Sequence, residues 1–303
     1  MYQTSKWLDG VIDACGVPSA MSETVRWTRR LILQFGTLNH RALLWRRHCS
    51  ELAERLRAEP EQRILLDGPT GTGKSATLLQ LADYLVKTRK SDSKEMVIYL
   101  GRVGRWTAGY YPYQQSKTNP AEYLQPELAT DIMRLLTISV HDTSPPSEAN
   151  PEAAIDNLQR MLGLLAGDKE RVLLLIDDLD ALFAPTGYHD VDGNPLSVER
   201  MPVLRMMRSL FLDTKATIIA AHCRSNPALV DSRLNGTIFK ASVERLSYFT
   251  AAEVQSVLDY YKALGHVPQE VSPKFAQKIH FVSGGSAGKI LPAAHYDSVY
   301  QRY

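Results

Sequence analysis

Two hydrophobic patterns alternate along the chain. Short continuous apolar runs at residues 64–66, 96–100, 172–176 and 216–221 predict β-strands, with a shorter fifth at 237–241. Between them apolar residues recur every three to four positions, which predicts amphipathic helices. Residues 41–58 carry Leu43, Leu44, Leu52 and Leu56 on one side, with Arg46, Arg47, Glu51, Glu54 and Arg55 on the other. A second helix presents Leu78, Leu81, Ala82 and Leu85. Residues 121–137 place Leu128, Ile132, Leu135 and Leu136 on one stripe, and 152–166 and 203–212 read as further helices. After Ser247 the pattern is helical throughout. Thr250 with Glu253 forms an N-cap signature, and helices are predicted to Gly265, over 273–282 and over 289–300, broken at Gly284-Gly285. Polar stretches at 87–95, 141–151 and 184–200 predict connections. In the last of these, Asp190, Asp192 and Asn194 alternate as in a calcium loop. Gly193 stands between them and no Glu occupies the twelfth place, so a turn is expected.

This alternation predicts an α/β fold with a five-stranded, mainly parallel sheet. An N-terminal helical extension is expected over 1–60, an α/β core over 61–245 and an α-helical lid over 246–303. A length of 303 residues suits about two domains, and 44% hydrophobic content suits a packed core. No apolar run reaches the ~18 residues of a membrane span. A net charge of +2 argues against wide neutralisation of nucleic-acid phosphates as the main task. Cys15, Cys49 and Cys223 are scattered, which fits a reducing compartment without a disulfide framework or zinc site. Residues 1–10 read as neither a secretory h-region nor an Arg/Ser-rich presequence.

The chemistry concentrates where the first strand meets the second helix. Gly68-Pro-Thr-Gly-Thr-Gly-Lys-Ser75 is the G-x-x-x-x-G-K-[S/T] phosphate loop in a strand–loop–helix setting. Gly68, Gly71 and Gly73 allow backbone N–H groups to turn around a phosphate, with Thr70, Thr72 and Ala76 completing the wall. The helix N-terminus favours the same anion. Lys74 suits the β- and γ-phosphates and Ser75 suits Mg²⁺. A purine nucleotide with Mg²⁺ is therefore expected.

Residues 171–182 form the second landmark, an apolar strand ending in Asp177-Asp178-Leu-Asp180. A fully apolar strand belongs in the middle of a parallel sheet, and a carboxylate at its C-terminal end stands where such sheets bind ligands. Asp177 is the Walker B candidate for Mg²⁺. Asp178 stands where many ATPases carry a water-activating Glu and is the candidate catalytic residue. Asp180 reads as a turn or cap residue. His222, after the fourth strand, is either a structural histidine or a sensor of the γ-phosphate.

Two further stretches stay open on the sequence alone. Residues 101–114 interleave Arg102, Arg105, Trp106, Tyr110, Tyr111 and Tyr113 with glycines; they can stack on bases, form a protein interface or anchor the loop. Arg29, Arg30, Arg41, Arg46 and Arg47 give the N-terminal region a basic bias, read chiefly as a solvated helix face and otherwise as a contact for RNA or an acidic partner.

Residues 65–80, Arg105-Trp106 with Pro112-Tyr113, Tyr123-Leu-Gln-Pro-Glu-Leu-Ala129, 175–182 and the helix after Leu204 together resemble the death-associated protein 3 family. These are GTP-binding proteins of the mitochondrial small ribosomal subunit, within the AAA+/STAND class of P-loop NTPases. The resemblance spans about residues 35–300. It implies bound GTP or GDP (ATP as the alternative), nucleotide contacts at Gly71, Gly73, Lys74 and Ser75, and Mg²⁺ at Asp177. It also implies a place in the small-subunit head near bridges to the large subunit, with ribosomal proteins and rRNA as neighbours, in the mitochondrial matrix. No guanine-reading N-K-x-D motif is present. The lid offers only Lys289 where many ATPases use a sensor arginine, and Arg224 and Arg233 are weak finger candidates. Slow or absent turnover in a structural component without a homo-oligomer is therefore expected. The alternative is an active STAND or AAA+ ATPase acting as a switch or loader.

Overall fold

A computed structural model describes residues 44–59, 62–88, 95–101, 103–140, 151–167, 171–213, 216–222, 241–267 and 270–300. Arg29, Arg30, Arg41, Arg102, Cys15, Cys223, Arg224, Arg233 and most of the predicted strand at 237–241 lie outside the described residues.

The elements run α1 (Arg47–Ala58), β1 (Arg63–Asp67), α2 (Lys74–Thr88), β2 (Met96–Leu100), α3 (Gly104–Thr107), β3 (Gln114–Gln115), β4 (Tyr123–Leu124), α4 (Pro126–Val140), α5 (Pro151–Gly167), β5 (Val172–Ile176), α6 (Pro202–Asp213), β6 (Thr217–Ala221), β7 (Ser242–Arg245), α7 (Ala251–Ala263), α8 (Pro273–Ser283) and α9 (Ala287–Tyr300). The main sheet has five strands in the order β2-β5-β6-β1-β7. The β2–β5 and β5–β6 pairs are parallel. All five residues of β5 are buried, as its unbroken apolar run requires of a strand with neighbours on both sides.

The chain divides into two compact units, each discontinuous in sequence. One comprises Arg55–Leu65 and Thr88–Val243. Its core joins Leu65 of β1, Ile98 and Leu100 of β2, Leu174 and Ile176 of β5 and Ile218 of β6 with the inner faces of α4, α5 and α6. The other comprises Met1–Glu54, Leu66–Lys87 and Glu244–Tyr303. Its core includes Phe249, Val254, Leu258, Tyr261, Ile279 and Ile290, contributed by α7, α8, α9 and the segment before them. Thr250 and Glu253 form the complete capping box expected for α7. Gly284, at φ 61°, ends α8 through amide bonds to His280 and Phe281 carbonyls.

Two predicted elements shift, and a strand not expected from the sequence stands at Ser242–Arg245. The helix expected from 121 starts at Pro126, because Tyr123–Leu124 pair with Gln114–Gln115 as a short hairpin. The aromatic stretch, read as a loop, contains the short helix α3.

Candidate functional site

The glycine loop lies in the unit that also holds the helical lid. It leaves β1 at Asp67, whose carbonyl accepts from the Leu246 amide at 2.7 Å. Gly68 is next, at φ +151°, and a Cβ there would sit 2.5 Å from the Leu246 carbonyl oxygen. At Gly71, φ +93°, a Cβ would sit 2.4 Å from Ser286 Oγ. Gly68 is thus required by backbone conformation and by the facing backbone carbonyl, and Gly71 by its backbone conformation, with a serine hydroxyl close by. Gly73 differs: at φ +95° the missing Cβ faces open space.

The loop is held by its carbonyls. Lys74 Nζ donates to Gly68 O at 2.6 Å and to Pro69 O at 3.1 Å. Thr72 Oγ1 also donates to Pro69 O, at 3.0 Å. The Ala287 amide, opening α9, donates to Gly71 O at 3.3 Å. Arg46 Nη1 donates to Thr72 O at 3.1 Å. In a planar trans peptide the next residue's N–H points opposite to the carbonyl. Gripping the Pro69 and Thr72 carbonyls therefore directs the Thr70 and Gly73 amides the other way. With α2 beginning at Lys74, this arrangement fits an anion such as a phosphate. Thr70 is exposed, Lys74, Ser75 and Ala76 are half-buried, and Thr72 is buried.

Arg46 corrects the sequence reading. Its guanidinium is no part of a solvated helix face: the side chain is 7% exposed and pairs with Glu253 Oε1 at 2.8 Å. It also donates to the Ser247 carbonyl at 3.1 Å and lies 4.6 Å over the Phe249 ring. Arg47, its neighbour, is 93% exposed and pairs with Glu51 at the surface. Nothing in the sequence joins positions 46 and 253. Glu253 was legible only as a capping residue. Burial pushes the Glu253 carboxyl up, but hydrogen bonds from Arg46 and the Thr250 amide outweigh it and hold the group below its ordinary value.

Around this arginine, α1 meets α2. His48 Nε2 lies 3.0 Å from Thr77 Oγ1, and burial, helped by the Arg46 charge, lowers the imidazole to about 4. Burial raises the Cys49 thiol to about 11, so it is inert at neutral pH.

Asp177, Asp178 and His222 lie in the other unit. Asp177 directly follows β5; its amide donates to Leu100 O at 2.9 Å, and its own carbonyl accepts from the Val103 amide at 3.1 Å. It is buried. Asp178 has φ +60°, the one positive φ of a non-glycine among the described residues, and its carboxylate packs against Gly104. That left-handed turn redirects the chain into a 3-10 helix, Leu179–Phe183, whose first turn contains the buried Asp180. His222 is buried at the end of β6.

The aromatic stretch is anchored rather than displayed. Trp106 is buried, and its carbonyl accepts from Tyr188 Oη at 3.0 Å. Tyr111 Oη donates to Asp131 at 3.1 Å and Tyr113 Oη to the His189 carbonyl at 2.6 Å. Tyr110 stands furthest out, 68% exposed, with Arg105 5.3 Å from its ring centre, and Tyr113 is exposed as well. The stretch 184–200 forms a turn as expected, with Asp190 Oδ1 accepting the Asp192 and Asn194 amides.

Residues 43–139 match the family model described as mitochondrial ribosomal death-associated protein 3. Over these residues the family resemblance carried by the sequence motifs is borne out. The matched segment contains the glycine loop and the aromatic stretch. No curated protein matches the chain. Among solved structures, the Cdc6p protein of Pyrobaculum aerophilum aligns at 17% identity over 95% of this chain and 65% of that one, with a TM-score of 0.45. The Aeropyrum pernix ORC1 protein, solved in complex with DNA, aligns at 17% identity over 84% of this chain and 60% of that one, with a TM-score of 0.49. The chain spans 60–65% of the length of these two proteins.

Proposed function

We propose that the chain is a nucleotide-holding structural component of the mitochondrial small ribosomal subunit. The observation that carries the nucleotide reading is the loop from Gly68 to Ser75. Its carbonyls are tied back, its Thr70 and Gly73 amides turn away from those ties, and a long helix begins directly behind it. Lys74 would contact the β- and γ-phosphates, and Gly68, Thr70, Gly71, Thr72, Gly73 and Ala76 would wrap them. Ser75 would hold Mg²⁺ beside the phosphates; Asp177, in the other unit, is a candidate for the ion by its sequence motif. The ion neutralises phosphate charge when bound.

The ribosomal placement rests on the family match over residues 43–139. Neighbours in the small-subunit head, rRNA, the bridges to the large subunit and a matrix location follow from that reading. Guanine is the base we favour on the same ground.

Turnover is proposed to be slow. Asp178 is one methylene shorter than the usual Glu, and its carboxylate packs against Gly104. Asp178 and His222 are the residues proposed for the water-activating and sensor roles. Without an arginine finger, P-loop proteins hydrolyse nucleotide at about 0.02 per minute, so the full chain should stay below ~0.1 per minute. Lys74→Ala tests the site. It removes a charge-assisted contact of about 1.5–3 kcal/mol, so affinity for a fluorescent guanine nucleotide should fall by about 10- to 150-fold. Unchanged affinity would refute the assignment, and turnover well above the stated limit would refute the storage role.

A further inference from the structure

Arg46 joins three places, each far from it in sequence. One is the glycine loop, through Thr72 O at 3.1 Å. The second is the approach to the lid, through Ser247 O at 3.1 Å and Tyr248 O at 3.5 Å. The third is α7 itself, through Glu253 at 2.8 and 3.4 Å. Five donors in a rigid planar fork suit this many acceptors, whereas a lysine ammonium has three and no plane to stack on Phe249.

We propose that Arg46 is a positioning residue and latch that couples nucleotide occupancy of the loop to the order of lid helix α7. The inference rests on the nucleotide reading given above. Arg46 does not touch the ligand. By gripping the Thr72 carbonyl it fixes the Thr72–Gly73 peptide, and so aims the Gly73 amide away from itself. A phosphate accepted by that amide stabilises the peptide orientation in which Thr72 O meets Arg46. The same guanidinium then holds Glu253, which also caps α7 through the Thr250 amide at 2.8 Å. Coupling of this kind is reciprocal: an ordered lid retains nucleotide, and bound nucleotide orders the lid. Ser286 against Gly71 and the Ala287 amide on Gly71 O form a second seam between the loop and the start of α9. Arg46 is the charged member, and the part that ties the loop to α7.

The test uses the full chain with mant-GDP and Mg²⁺, reading nucleotide dissociation by stopped flow and amide exchange over residues 250–264. In the unaltered protein, nucleotide should slow exchange across 250–264. Arg46→Met keeps the stem and removes the fork. It should raise the dissociation rate by about tenfold or more, as for loss of a charge-assisted hydrogen bond, and abolish the nucleotide-induced protection. Arg46→Lys should restore part of the retention, because charge returns without the fork. Glu253→Gln leaves the Thr72 contact in place, so it should lose the lid protection with a smaller change in dissociation; it also serves where Arg46→Met does not fold. An Arg46→Met protein that is merely less stable, yet keeps the original dissociation rate and induced protection, overturns the latch alone. Failure of the unaltered protein to bind mant-GDP overturns both the latch and the site.

Discussion

His48 Nε2 lies 3.0 Å from Thr77 Oγ1, two residues after the loop serine, and the contact ties α1 to α2. Its imidazole is half-buried, and burial with the nearby Arg46 charge lowers it to about 4, against 6.5 for an ordinary histidine. The unfolded chain therefore takes up this proton first as pH falls. Stability should drop between pH 6.5 and about 4 and level off below that for this group. A shift of this size, discounted for partial exposure, corresponds to about 2–3 kcal/mol. Glu253 adds to the loss at the acid end. Its carboxyl titrates below its unfolded value, so its stabilisation is present above about pH 4.5 and disappears as pH falls through the folded value. Urea denaturation at stepped pH should show the decline, and His48→Gln should flatten its upper part. A profile unchanged by that substitution would contradict a neutral, half-buried His48.

The Arg46–Glu253 pair should behave as a buried charge pair. Breaking such a pair from one side costs about 3–5 kcal/mol, because a charge is left uncompensated. Arg46→Met and Glu253→Gln should therefore each be costly. The double variant should cost clearly less than their sum, by about 1–3 kcal/mol of coupling. Additive losses in chemical denaturation would mean that the two side chains act separately.

Gly71 and Gly73 provide an internal contrast. Both have φ near +95°, so alanine is strained at either, by about 1–2 kcal/mol. At Gly71 the new methyl also collides with Ser286 Oγ, while at Gly73 it enters open space. Gly71→Ala should lower the melting temperature of nucleotide-free protein more than Gly73→Ala. Gly73→Ala should act mainly on nucleotide affinity. The reverse order would place the lid elsewhere than against Gly71.

The aromatic stretch makes an opposite pair. Trp106→Ala opens the core and should cost about 3–5 kcal/mol. Tyr110→Ala, at an exposed site, should stay within about 0.5 kcal/mol. Equal effects in thermal unfolding would contradict the burial of Trp106.

The elements whose signal is local were legible in the sequence. β2 appears at Met96–Leu100 and the Thr250–Glu253 capping box is complete, because an unbroken apolar run and a cap each depend on a few adjacent residues. The glycine loop was legible for the same reason: its conformation is written in Gly68, Gly71 and Gly73. Arg46 was not. Its helix neighbours made it look like a surface charge, and its partners stand 26 and 207 positions away. Trp106 stayed undecided for a related reason. Aromatics beside arginines read alike whether they face a partner or the core, and only Tyr188, 82 positions on, decides it. Leu124 falls at helical spacing with Leu128 and Ile132, yet Tyr123–Leu124 pair with Gln114–Gln115, a tertiary contact that overrides local preference.

Everything proposed for this chain depends on retention of a nucleotide by the loop from Gly68 to Ser75. Mass spectrometry of the small molecules released by acid from gently purified full-length chain, alongside Lys74→Ala prepared in the same way, measures that retention. A guanine nucleotide at close to one per chain is expected in the first sample, and its loss from the second. An adenine nucleotide would overturn the base we favour. A chain that releases no nucleotide and takes up none when offered GDP and Mg²⁺, or equal content in the two samples, would contradict nucleotide retention itself.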